Sequence, residues 1–179
     1  KYHALGASGP DRVVFEEKDP GFFMDVGGSR LNDFIFIGIN DHETTEYRIL
    51  PANQPDAEPM LVAAREPGVQ YDLNEGGEVV FILTNADGAK DFKVMQVPVS
   101  APGKDNWREV VPHRPGRLIV DVNVYAHHMV RLEREDGLPR IVVHRFADGA
   151  EHAIAFDEEA YSLGMSAGYE FDTDMIRFT

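Results

Sequence analysis

Val69-Gln70-Tyr71-Asp72-Leu73 opens a unit that runs to a turn at Asp87-Gly88, and Leu118-Ile119-Val120-Asp121-Val122 opens another that runs to Asp136-Gly137. Asp72 and Asp121 are 49 residues apart, and so are Asp87 and Asp136. A looser copy begins at Phe22-Phe23-Met24-Asp25-Val26. A fourth begins at Tyr161-Ser162-Leu163 and stops after half its length. All-β repeats of about 40–50 residues point to propeller blades, which are four-stranded sheets set radially around an axis. The expected fold is therefore all-β: a partial β-propeller of about three complete four-stranded blades with partial blades at both ends. Three whole blades do not close a ring of ordinary size, so the sequence reads as a piece of a larger one.

Short apolar runs separated by turn residues recur along the chain, and none sustains helical periodicity over three turns. Residues 1–179 read as one partial propeller domain, with units at about 22–64, 69–112 and 118–156 and a partial unit at 161–179. Strands are expected at Phe22–Val26, Phe34–Ile39, Glu46–Leu50 and Met60–Ala63 in the first unit. The second offers Val69–Leu73, Val79–Thr84, Phe92–Val97 and Trp107–Val111; the third offers Leu118–Val122, His127–Glu133, Arg140–Phe146 and His152–Phe156. The partial unit offers Tyr161–Met165 and Met175–Phe178. Val13–Glu16 then reads as the last strand of a preceding blade.

Asp87-Gly88, Asp136-Gly137 and Asp148-Gly149 each supply a glycine able to take positive φ between apolar runs, as a hairpin turn requires. Asn40-Asp41-His42-Glu43 lacks glycine and reads as a longer turn. Gly27-Gly28-Ser29 and Glu75-Gly76-Gly77 fall between the first and second strands of their units and read as turn glycines. Pro51, Pro55, Pro59, Pro98 and Pro102 fall between strands, where they cost no ladder bond. An immunoglobulin-like sandwich also uses short strands but does not repeat in fours, and a β-helix needs a shorter period.

The composition is that of an ordinary globular domain, 43% hydrophobic and 27% charged. No apolar run is long enough to span a membrane as a helix. The chain begins Lys1-Tyr2-His3 and shows no apolar leader segment. It has no cysteine, which excludes disulfides and thiolate metal sites and fits a reducing, cytoplasmic compartment. The net charge of −14 argues against a nucleic-acid partner, since phosphates call for a basic face. The same charge suits a cationic ligand, or simple solubility.

No catalytic constellation emerges. Gly6-Ala7-Ser8-Gly9-Pro10 has the wrong spacing for a nucleophile elbow and precedes no helix. The paired glycines lead into no helix and no Lys-Ser pair, so they cradle no phosphate. His127 and His128 are adjacent and point to opposite faces of a strand. His144 and His152 straddle a turn and could meet across a hairpin, but no third ligand accompanies them. Asp172 and Asp174 lack the pattern of a calcium loop. Phe22, Phe23, Phe34, Phe36, Phe81 and Phe156 read as packing between blades, and Trp107 as either surface or core. No residue is assigned as catalytic, cofactor-binding or metal-ligating, and no cofactor is expected.

Asp19-Pro20-Gly21-Phe22-Phe23, Thr45-Glu46-Tyr47-Arg48 and Asp56-Ala57-Glu58-Pro59 resemble the propeller of the oligopeptidase B group of the prolyl oligopeptidase family of serine peptidases. So do Ile154-Ala155-Phe156-Asp157-Glu158-Glu159-Ala160-Tyr161 and Ile176-Arg177-Phe178-Thr179. The resemblance spans about Val13 to Thr179 and lies in blade residues. It implies a seven-bladed propeller joined to an α/β-hydrolase domain with a Ser-Asp-His triad, acting on short peptides after Lys or Arg. This chain is similar to the later part of that propeller, a lid and size filter whose partners are the hydrolase domain and short basic peptides. The triad and the residues that recognise the basic side chain have no counterpart here. A stand-alone propeller that binds a partner protein without hydrolysis is the alternative. Either way, the open faces of the terminal blades predict that the isolated chain self-associates.

Overall fold

The structure is a computed structural model, and it describes residues 1–157, 161–168 and 170–179. Three four-stranded antiparallel sheets follow one another along the chain, each with its strands in sequential order. Blade 1 holds β1 (Phe23–Gly28), β2 (Phe34–Asn40), β3 (Thr45–Pro51) and β4 (Met60–Ala63). Blade 2 holds β5 (Tyr71–Glu75), β6 (Val79–Thr84), β7 (Lys93–Pro98) and β8 (Arg108–Val111). Blade 3 holds β9 (Arg117–Val124), β10 (His128–Glu135), β11 (Leu138–Arg145) and β12 (Glu151–Ala153). A fourth unit contributes a two-stranded ladder of β13 (Met165–Ser166) and β14 (Arg177–Phe178). The strands shorten there relative to the expected Tyr161–Met165 and Met175–Phe178. Glu158, Glu159 and Ala160, part of one family-like stretch, lie outside the described residues.

The middle blade explains why its second strand is apolar without a break. Val80 and Ile82 face one way, into a core shared with Ile49 and Val62 of blade 1. Phe81 and Leu83 face the other way, against Ile119, Val122 and Met129 of blade 3. A strand buried on both faces loses the alternation of a half-exposed one. A third core, built on Val130, Leu132 and Ile141, meets Leu163, Met165 and Ile176 of the fourth unit. Trp107 belongs to the first of these cores; its indole N–H donates to Pro102 O at 3.2 Å.

The crossings from blade 1 to blade 2 and from blade 2 to blade 3 use the same device. Val69 N donates to Glu66 O at 2.9 Å around Pro67-Gly68, and Arg117 N donates to Arg114 O at 3.0 Å around Pro115-Gly116. Gly68 and Gly116 sit at φ of 79° and 83°, as the third position of a type II turn demands. Phe22 N also bonds Asp19 O across Pro20-Gly21, at 3.2 Å, but Gly21 is not among the positive-φ glycines, so that turn is of another type.

Asp136-Gly137 forms the tight two-residue turn expected of it. Glu135 pairs with Leu138, and the two turn residues sit at φ of 51° and 83°. Asp87-Gly88 and Asp148-Gly149 also hold positive-φ glycines, but in longer loops, because their strands end at Thr84 and Arg145. Gly27 and Gly28 are not turn residues: they pair with Phe36 and Ile35 inside β1, and the turn begins at Ser29. Glycine at an edge strand keeps its ladder bonds, so its turn preference is overridden.

Val13–Glu16 stands alone. It has no ladder partner among the described residues, and backbone becomes a strand only beside another one. Its side chains instead lie against the outer face of blade 1. Val14 and Phe15 line a cleft of about 510 Å³ with Ile35, Ile37 and Leu50. The Arg48 guanidinium lies 4.6 Å from the Phe15 ring centroid, and Arg65 pairs with Glu17.

Candidate functional site: an acidic face on the propeller axis

In a propeller the first strand of each blade lies next to the axis, so its exposed side chains share one central space. β5 touches both β3 and β9, which sets the three full blades side by side. Asp25, Asp72 and Asp121 stand on the first strands β1, β5 and β9, opposite Gly38, Leu83 and Leu132 on the strands behind them. One carboxylate per blade is therefore offered to the axis.

Local packing positions each. A Cβ at residue 38 would lie 2.6 Å from Asp25 Oδ1 and 3.2 Å from Tyr47 Cε1, so the bare backbone of Gly38 makes room for both. The Tyr47 hydroxyl, reaching over from blade 1, donates to Asp72 Oδ1 at 3.2 Å. Asp121 Oδ1 accepts from Val122 N at 2.8 Å.

The electrostatics follow from this crowding. Asp72 keeps an exposed side chain, but the protein atoms around it thin out its water and raise its pKa above the usual carboxylate range. The Tyr47 bond pulls it down, and the Asp121 and Asp25 charges push it up again. Burial also raises the Tyr47 phenol, and the Asp72 and Asp25 charges add to it. Three carboxylates that can only accept, with one neutral phenol as donor, form a surface suited to ammonium or guanidinium groups.

The histidines do not assemble into a site. His144 stands opposite Glu151 rather than His152 and bonds its carboxylate at 3.0 Å. The register places His152 across from Val143. His127 lies 3.6 Å from Asp172 at the exposed surface. Among the described residues, no group of three His, Asp or Glu side chains is placed to hold a metal ion. The sequence displays the aspartates only as marks of register. Their recurrence just after the start of each unit was the available signal, but their convergence requires the radial arrangement.

Comparison with known proteins bears on what such a domain belongs to. The sequence profile of the prolyl oligopeptidase N-terminal β-propeller domain matches residues 1–179. Dipeptidyl aminopeptidase BI of Pseudoxanthomonas mexicana is 35% identical over 100% of this chain and 25% of its own length. Protease 2 of Moraxella lacunata is 29% identical over 97% of this chain and 25% of its own. Oligopeptidase B from Leishmania major superposes with a TM-score of 0.86 at 25% identity, covering 98% of this chain and 26% of that one. Oligopeptidase B from Trypanosoma brucei, in a closed form with covalently bound antipain, gives 0.85 at 28% identity, with the same shares. The chain thus spans about a quarter of the length of the relatives it matches. It belongs to the prolyl oligopeptidase family, within the family's N-terminal β-propeller domain.

Proposed function

We propose that this propeller covers the active site of an α/β-hydrolase domain and acts as a size filter for a serine oligopeptidase that cleaves short peptides after Lys or Arg. The observation that carries the basic-peptide part is the row formed by Asp25, Asp72 and Asp121 on the axis. Carboxylates lining a concave, partly desolvated surface concentrate cations and steer them inward. Net charge of the same sign across the chain extends that field. The cysteine-free composition supports a cytoplasmic setting.

The test uses the full-length polypeptide that carries these residues. Its kcat/KM for a short Arg-containing peptide should fall as ionic strength rises from about 0.01 M to about 1 M, where the Debye length contracts from about 30 Å to about 3 Å. The value for a neutral peptide should change far less. Asp72→Asn should flatten the salt dependence for the Arg peptide. Equal salt dependence for both peptides removes the steering role, and absence of any peptide hydrolysis favours the partner-binding propeller instead.

We further propose that the isolated 179-residue chain self-associates through its open blade faces. Phe23, Met24 and Val26 on β1 are all more than half exposed, beside the cleft under Val14 and Phe15. Apolar patches of this kind are seldom left bare on a soluble monomer. A single monomeric species in sedimentation at high concentration would contradict this.

A further inference from the structure

Arg30 reaches well beyond its own blade. It sits in the turn between β1 and β2 of blade 1, yet its guanidinium lies against the third blade and the fourth unit. One terminal nitrogen donates to Val124 O, at the end of β9, at 2.7 Å. The other donates to Ala167 O and to Glu170 O, the latter at 2.9 Å, with Gly168 O at 3.4 Å. The guanidinium carbon stands 4.8 Å from the centroid of the Tyr125 ring, and the Tyr125 hydroxyl bonds Ala167 O at 3.2 Å. Among the described residues Nε has no partner, so the anchoring rests on the two terminal nitrogens.

Blade 2 secures the base of this arm. The Glu75 carboxylate, at the end of β5, accepts from the Ser29 hydroxyl at 2.9 Å and from Leu31 N at 2.7 Å. Residues on both sides of Arg30 are thereby fixed, and its side chain is aimed past its own neighbour. All four units meet at the ends of their first strands. Among the described residues, none of the ladders joins blade 1 to blade 3 or to the fourth unit. The cores between successive blades do not include Arg30. The contact is therefore an addition to the packing that holds the blades together, and it can break without unfolding any of them.

We propose that Arg30 is a latch: its guanidinium bolts blade 1 to the third and fourth units across one end of the propeller axis, and that end opens only when the guanidinium leaves its carbonyl cradle. Backbone carbonyls around a flat cation, with an aromatic face beneath it, form a socket that a planar guanidinium fills and a round ammonium does not. The proposal is independent of any peptidase activity.

Hydrogen exchange in the full-length polypeptide tests it. In Arg30→Met, the amides around Ala167 and Gly168 and the Ala126 amide, which bonds Phe171 O, should exchange at least about tenfold faster, as expected for loss of charge-assisted bonds. Amides of β6 and β7 should keep their native rates. Arg30→Lys should fall between the two, since it keeps the charge and loses the flat fork. Tyr125→Leu should reproduce the Arg30→Met pattern from the other side of the contact. Unchanged exchange near Ala167 would overturn the latch. Faster exchange confined to blade 1 would also overturn it, by making Arg30 only a prop for its own turn.

Discussion

The Tyr71 hydroxyl, at the start of blade 2, donates to the carbonyl of Ala63 in blade 1 at 2.8 Å. It also accepts from Tyr47 N at 2.7 Å and from Ala63 N at 3.2 Å. These groups flank the point where the β3–β4 register shifts, between the pairs Tyr47–Ala63 and Arg48–Leu61. A bulge leaves backbone groups unpaired, and here the next blade supplies the missing partner. Blade junctions are therefore held by polar pins as well as by apolar area.

Tyr71→Phe keeps the ring against Trp107, 5.6 Å away edge to face, and removes only the pin. Two buried N–H groups and a carbonyl then lose a partner, at a cost of about 1–3 kcal/mol. Denaturant unfolding of wild type and variant should show that loss. A variant as stable as wild type would mean that water replaces the hydroxyl at the bulge.

Asp72 provides a pH-dependent prediction. Its pKa in the folded protein lies above the ordinary 3.8, through burial first and then the Asp121 and Asp25 charges. A raised carboxyl favours the folded state when protonated. That stability is fully present below the ordinary value and is lost as pH rises through the folded one. Asp72→Asn should therefore be the more stable protein at pH 7, by about 0.5 kcal/mol given solvent screening. The difference should vanish below about pH 4. Melting curves for the two proteins across that range provide the measurement, and a gap that persists in acid would point to packing rather than charge.

Legibility in the sequence divided along the line between local and distant causes. The Asp136-Gly137 turn was legible because two residues alone decide it. The blades were legible because strand pairing within a unit spans a few tens of residues. Gly27 and Gly28 misled because their pairing with Phe36 and Ile35 outweighs their local preference. Val13–Glu16 carries a strand pattern, but such a pattern says nothing about whether a second backbone lies alongside. The aspartates were visible as a row but not as a site, and Arg30 was invisible. Its partners lie 94 to 140 residues away, at backbone carbonyls that carry no sequence signature.

Gly76 and Gly38 should respond differently to alanine. A Cβ at Gly76 would stand 2.7 Å from Cε2 and 3.0 Å from Cδ2 of Phe81, a ring that is 4% exposed and stacked 5.3 Å from Phe146. That ring cannot yield without disturbing the junction of blades 2 and 3, so Gly76→Ala should cost about 1–3 kcal/mol. At Gly38 the nearest obstacle is the free end of the exposed Asp25 side chain. Gly38→Ala should turn Asp25 aside at a cost below about 1 kcal/mol. Thermal unfolding of both variants separates the cases; equal losses would mean that the Tyr47 contact, at 3.2 Å from residue 38, is the rigid one.

Blade 3 buries a charge where its neighbours bury aliphatic side chains. Arg131 and Glu133 are 1% and 2% exposed, and Arg131 Nε donates to Glu133 Oε1 at 2.9 Å. A terminal nitrogen of Arg131 donates to Glu151 Oε1 at 2.7 Å, and that bond chiefly holds the Glu151 carboxyl below its usual range. Arg131→Met leaves the buried Glu133 carboxylate with only Arg117, 4.0 Å away, as a cationic neighbour, and should cost about 3 kcal/mol. Adding Glu133→Leu removes the stranded charge, so the double variant should recover most of that loss even though it lacks both partners. Glu151 adds a pH signature: with its pKa depressed, its contribution is present above the ordinary 4.5 and fades as pH falls through the lower folded value. Arg131→Met should reduce that acid dependence along with the stability, leaving the smaller part due to the His144 bond. A double variant no better than the single one would show that the pair's worth lies in its mutual attraction and not in avoiding an uncompensated charge.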